Sequence, residues 1–173
     1  MGQTIDFLIR RAGLADVHEI AAAHLDSIRS LGPLSYDAAV VSDWGARVKG
    51  DIYLEAMDRG EVFFIAIGAL GDGSEVVGFS SHRIDGDAHG TAVYVRGKTA
   101  RRGIGSALYR TAEASAIAAG ATSIHLDASL VAVEFYKTNG FEEIGRGEHR
   151  LSSGRSMPCV FMRKDLLAPC VAP

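Results

Sequence analysis

The sequence predicts a mixed α/β domain: a central, mostly antiparallel sheet with one parallel pair and helices on both faces. Three observations predict it. A strand-like opening leads into a long run of helical periodicity. The middle of the chain alternates apolar runs with glycine-rich turns, as an antiparallel meander does. Around residues 92–127 a β-like run, an amphipathic helix and a second β-like run follow one another, and such a crossover joins parallel strands.

The elements follow in order. Thr4 to Arg11 reads as a strand, with Ile5, Phe7 and Ile9 alternating. Asp16 to Leu31 reads as a helix, because Val17, Ile20, Ala21, Leu25 and Ile28 keep a helical period. Gly32-Pro33 ends it, glycine taking a left-handed cap and proline being unable to continue. Ser35 caps a second helix to about Val48, and a third runs from Asp51 to Arg59. Glu61 to Leu70 is a buried strand, rich in Val, Phe and Ile. Gly71 to Ser74 turns into a partner strand, Glu75 to Ile84, and Asp85-Gly86-Asp87 turns again into Ala88 to Val95. A helix from Gly103 to about Ala119 leads to a strand, Ser123 to Asp127. A short helix covers about Ala132 to Asn139, and two last strands lie near Phe141–Ile144 and Pro158–Arg163. Met1–Gln3 and the tail after Leu166 are expected to fray.

The 173 residues fit one domain, 1–173, with a core over about 4–166. A hydrophobic fraction of 47% and a charged fraction of 23% are ordinary for a globular chain. A net charge of -3 and a pI ≈ 6.0 argue against nucleic-acid binding. No apolar stretch approaches the ~20 residues of a membrane helix, and Met1 to Arg11 lacks a signal-peptide pattern. Cys159 and Cys170 are too few and too badly spaced for a disulfide framework or a zinc site. A cytoplasmic protein without metal, membrane or nucleic-acid partner is the expectation.

The most informative segment is Arg101-Arg102-Gly103-Ile104-Gly105-Ser106, at a strand-to-helix corner. Glycines there let a ligand approach the backbone, and the first helical amides lack intrahelical partners. Together with the helix dipole they suit a phosphate or pyrophosphate. From Val95 to Arg110 there are five basic residues (Arg96, Lys98, Arg101, Arg102, Arg110) and no acidic one.

These glycines, with Phe135-Tyr136-Lys137-Thr138-Asn139-Gly140-Phe141 downstream, resemble the GNAT-type N-acetyltransferases. That family carries Gln/Arg-x-x-Gly-x-Gly/Ala after its fourth strand and a Tyr-x-x-x-Gly-Phe pattern beyond the next. The element order agrees over roughly residues 4–166. Two positions depart: Ala100 replaces the Gln/Arg, and Ser129, Leu130 and Val131 stand where relatives often carry an Asn. The resemblance implies acetyl-CoA as co-substrate. Its pyrophosphate would lie on the amides of Arg101, Arg102, Gly103, Ile104, Gly105 and Ser106. Its pantetheine arm would run beside strand 88–95, with a backbone N–H near Val93–Val95 facing the thioester oxygen and Ser129 as the nearby side chain.

The resemblance makes Tyr136 the candidate general acid and His89 the candidate base, with Asp87 as fallback. A model phenol at ~10 and thiol at ~8.5 make a full proton transfer uphill by about 1.5 units. A neutral imidazole suits an amine's proton. Tyr36 and Trp44 would line the acceptor site, and the acceptor would be a small-molecule or peptide amine. Paired terminal strands often dimerise in this family, so a homodimer is a further expectation.

Other chemistries fit less well. Asp127 follows Gly103 by 24 residues, as in a dinucleotide fold, but Leu108 replaces the third glycine and no second βαβ half follows. His18 and His24 are six apart, which turns them to different helix faces. A non-catalytic acyl-CoA sensor or interaction domain on the same fold stays open.

Overall fold

The computed structural model describes residues 6–70, 73–85 and 88–166. The strand expected from Thr4 therefore begins outside them, and the ends expected to fray, the turn glycines Gly71 and Gly86, and Asp87 lie outside them too. Phe7–Arg11 forms β1, followed by helices α1 (Val17–Leu31), α2 (Ala38–Gly45) and α3 (Gly50–Asp58). The meander is β2 (Val62–Leu70), β3 (Gly73–Asp85) and β4 (Ala88–Val95). Then come α4 (Ile104–Ala118), β5 (Ser123–Ser129), α5 (Val133–Thr138), β6 (Glu142–Arg150) and β7 (Ser156–Asp165).

The seven strands form one sheet in the order β1-β2-β3-β4-β5-β7-β6. Every pairing is antiparallel except β4 with β5. That parallel ladder is short, holding only His89↔Ile124 and Gly90↔His125. Beyond Gly90 and His125 the two strands part, while β5 stays bonded to β7 along its whole length. A gap thus opens in the middle of the sheet.

One face of the sheet is covered by α1 and α3, whose Val17, Ile20, Ile28 and Tyr53 pack on Phe63, Ile65 and Phe79. The other is covered by α4 and α5, through Ile104, Leu108, Tyr109 and Tyr136 on Val77, Ile124, Val160 and Met162. Period-2 alternation assigns the β4 side chains. Val93 and Val95 join the α4 side and Tyr94 joins the α1 side. The ring of His24 of α1 lies against that of Tyr94, 3.8 Å between centroids and tilted by 45°, with Nδ1 2.7 Å from the Tyr53 hydroxyl. Burial pushes its imidazole down to about 3, so it is neutral at pH 7. Among the described residues no helix is long and apolar enough to cross a membrane.

Three local expectations change. Gly32 has φ -52, a right-handed value, so α1 runs into a 3-10 turn, Gly32–Leu34, instead of a left-handed cap. Asp37, not Ser35, caps α2, its Oδ1 accepting the Val40 N–H at 2.8 Å. The β6 strand extends to Arg150, six residues beyond the expected end. It is a sheet edge with mostly exposed side chains, so it lacks the apolar alternation that marks a covered strand.

Candidate active site

The glycine corner begins with a loop fixed from both sides. Arg96 Nε donates to the Val76 carbonyl at 2.7 Å, and its guanidinium faces Glu75 at 3.3 Å and Asp26 at 3.8 Å. The Gly97 N–H donates to Asp26 Oδ1 at 2.8 Å, and a Cβ at Gly97 would lie 2.3 Å from the Ser30 Cβ. The β4–α4 loop is thereby clamped to α1, and the start of α4 is placed. Arg101 has φ 61 and Gly103 φ 81, so the chain turns through the left-handed region just before the helix. Gly103 is the N-cap and no side chain caps α4. The Ala107 N–H bonds back to the Gly103 carbonyl at 3.0 Å, and the amides before it make no bond within the helix. Gly105 serves packing: a Cβ there would come within 3.1 Å of the Phe135 ring. Asn139 Nδ2 donates to the Phe135 carbonyl at 2.8 Å and to Ser106 Oγ at 3.3 Å, tying α5 to the first turn of α4. The corner is therefore a set of helical amides without a side-chain cap beside arginines, a ready anion seat.

The gap between β4 and β5 opens a cleft of about 340 Å³. Thr91, Val93, Tyr94, Leu126, Ser129, Ala132 and Tyr136 line it from the strands and α5. Tyr136 is 5% exposed and packs edge-on against Phe135 at 5.0 Å and Phe141 at 5.3 Å. Its hydroxyl stays protonated well above the ordinary phenol range. Burial raises it, a neighbouring Tyr94 adds to that, and a hydrogen bond from the Val93 backbone together with the Arg83 charge opposes it. Burial also pushes Tyr94 up to about 12, against a hydrogen bond with Trp44 and the same Arg83 charge. Val93 of β4 and Tyr136 of α5 thus face the same cleft.

The structure brings together most of the residues singled out from sequence. Val93, Ser129, Tyr136 and Trp44 all line the cleft, and Gly103 to Ser106 open α4. Val95 packs below it against Ile104 and Leu108. Two residues lie apart. Tyr36 is buried, and both its bonds are structural: its hydroxyl donates to the Pro158 carbonyl at 2.7 Å and accepts the Leu130 N–H at 2.7 Å. His89 precedes the last bonded pair of β4, and its ring lies 6.3 Å from that of His82, outside the cleft lining.

Several lining residues carried no sequence signal strong enough to find them. Arg83, His125, Asp127, His149 and Met157 face the same cleft. Asp127 stood out only as the acid ending a strand. His149 and Met157 enter through the β6–β7 hairpin, which reaches further than its composition suggests. That hairpin docks on α2, where Ser153 Oγ donates to Asp43 and Arg155 Nε lies 3.6 Å from the same carboxylate. A second, larger groove of about 770 Å³ lies between α1 and α2, lined by Leu25, Arg29, Val41 and Lys49. It shares no lining residue with the cleft between the parted strands.

A mixed sheet parted at its one parallel pair, with uncapped helical amides at the mouth of the gap, has the form that suits a phosphate-bearing ligand with an extended arm. The sequence profile of the acetyltransferase (GNAT) family matches residues 28–141, and the chain belongs to that family. No curated protein matches the sequence. Solved structures agree in fold. A GCN5-related N-acetyltransferase from Rhodopseudomonas palustris is similar at a TM-score of 0.79 and 24% identity, over 96% of this chain and 100% of that one. The PaiA N-acetyltransferase of Thermoplasma acidophilum, in complex with coenzyme A, gives 0.72 and 18%, over 93% and 99%. The yncA protein of Salmonella typhimurium, solved with its cofactor acetyl-CoA, gives 0.68 and 20%, over 97% and 98%.

Proposed function

We propose that this acetyltransferase moves the acetyl group of acetyl-CoA onto a primary amine by direct attack on the thioester. The observation that carries the reading is a cleft lined by Val93 and Tyr136 that opens beside uncapped α4 amides. The site fits the co-substrate in three respects. The amides at the start of α4, with Arg101 and Arg102, suit a pyrophosphate. The unpaired stretch of β4 beyond Gly90 suits an extended arm that adds like a strand. Ser129 offers a hydroxyl on the opposite wall.

In the transfer a C–N bond forms at the thioester carbonyl and the C–S bond breaks. The amine gives up a proton, and the leaving thiolate gains one. The Val93 N–H donates to the carbonyl oxygen as it becomes negative. Tyr136 directs its O–H at the sulfur. Its raised proton affinity widens the uphill gap beyond the ~1.5 units of a free phenol and thiol. Its role is thus a hydrogen bond to the departing sulfur, with the net proton coming from the amine nitrogen once it has added, by way of solvent or a cleft side chain. His89 does not line the cleft, so the first proton goes to a group that does, and His149 and His125 are the imidazoles there.

The test is thiol release from acetyl-CoA over a panel of polyamines, amino acids, aminoglycosides and peptides, beside a calorimetric titration with CoA. The reading predicts release with one or more acceptors, matched by acetylated product. Tight CoA binding with no release from any amine would overturn it and favour a sensor.

A further inference from the structure

The two walls of the cleft carry Arg83, Asp127 and His149, from three strands, which thioester binding leaves unused. We propose that the acceptor is a small amine that also bears a carboxylate, with the carboxylate on Arg83 and the amino group toward Asp127 and His149. This rests on the acetyl-transfer reading above.

Arg83 of β3 pairs in register with Gly90 of β4, and Gly90 is the last β4 residue bonded to β5. Its guanidinium lies flat over that glycine. A Cβ at Gly90 would be 2.9 Å from Cζ, 3.1 Å from Nη2 and 3.2 Å from Nε. Only glycine leaves this room, so the fork is held at the apex of the gap. Nη1 faces Glu61 at 3.8 Å, the one ion pair of Arg83 among the described residues and too long for a close hydrogen bond. The Nε–Nη2 edge is the edge that matches a carboxylate in a two-point grip. Arg83 lines the same cleft as Tyr94 and Tyr136, which puts it at the reacting end.

Across the gap, Asp127 of β5 and His149 of β6 meet with Oδ2 and Nδ1 3.7 Å apart. Both are about half exposed, at 49% and 53%, so an incoming ammonium can reach them. The carboxylate attracts the ammonium, and the adjacent imidazole can take its proton. A cation on one wall and an anion on the other complement a zwitterion. A polyamine would instead set a second cation against Arg83. The cleft volume of about 340 Å³ also falls in the range of small-molecule sites.

The experiment measures thiol release from acetyl-CoA with each L-amino acid and its α-carboxamide, using the intact protein and the variants Arg83→Gln and Arg83→Lys. The expected result is a kcat/KM at least about tenfold higher for the free carboxylate than for its carboxamide. That preference collapses in Arg83→Gln, partly returns in Arg83→Lys, and leaves calorimetric CoA affinity unchanged in both. Unchanged melting temperatures confirm that both variants fold. Equal use of carboxamides, or faster transfer to amines without a carboxylate, would overturn the proposal and leave acetyl transfer standing. A preference that survives Arg83→Gln would also overturn it. Thiol release from no amine at all would overturn the acetyl-transfer reading itself.

Discussion

Tyr136→Phe lowers kcat for acetyl transfer by about 10²–10³-fold, the usual cost of removing one hydrogen-bond donor from a developing charge. CoA affinity changes by less than about tenfold, since one neutral hydrogen bond is at stake on binding. The ring contacts with Phe135 and Phe141 survive the substitution, so the fold is kept. The direction of the tyrosine shift sharpens this. Burial keeps the phenol protonated above its ordinary range, so it acts as a donor throughout the neutral and mildly alkaline pH of an assay and adds no basic limb there. Steady-state kinetics with direct detection of free thiol provide the check. Unchanged thiol release would remove Tyr136 from the reaction.

Gly105→Pro weakens CoA binding roughly 10–100-fold, as expected for losing a charge-assisted hydrogen bond to phosphate. Lys98→Ala weakens it by less than about fivefold, because Lys98 is exposed and contributes only a screened charge. Proline deletes one amide of the anion seat, and it also adds atoms where a Cβ already comes within 3.1 Å of Phe135. Gly105→Ala separates the two effects, because it brings the same crowding and keeps the N–H. Its affinity should fall between those of the parent and the proline variant. Calorimetric titration decides, and equal losses from Gly105→Pro and Lys98→Ala would count against a backbone-held pyrophosphate. The substitution of Ala100 for the family's Gln/Arg makes this test pointed here, since no side chain at that position shares the grip.

The parts that were legible in sequence are those whose signal is local. The glycine corner announced itself because Gly103 needs a positive φ and Gly105 must pack tightly, and few other residues do either. Tyr136 was legible through its place before Gly140-Phe141. The parallel pair followed from the crossover alone. What the sequence hid depends on distance. Nothing near Arg83 says that its guanidinium will lie over Gly90, because that contact depends on the β3–β4 register. His149 and Met157 reach the cleft through an edge hairpin whose exposed strand carries no apolar alternation. Trp44 and Tyr36 are near neighbours in sequence and in space, with ring centroids 5.9 Å apart, yet only Trp44 lines the cleft. The Tyr36 hydroxyl is spent on Pro158 and Leu130, more than ninety residues away in the chain. His89 fell at the right count from the glycine corner, but it sits where β4 is still bonded to β5 at Ile124, before the gap opens.

The central claim is that α4 amides and the parted stretch of β4 form the CoA seat, and amide-resolved NMR tests it most directly. An 18.3 kDa chain is small enough for a ¹H–¹⁵N titration with CoA. The amides of Gly103 to Ser106 and of Val93 to Val95 should shift first and furthest, with Ser129 following. Shifts confined to the α1–α2 groove around Arg29 and Lys49, with those amides unmoved, would contradict the assignment.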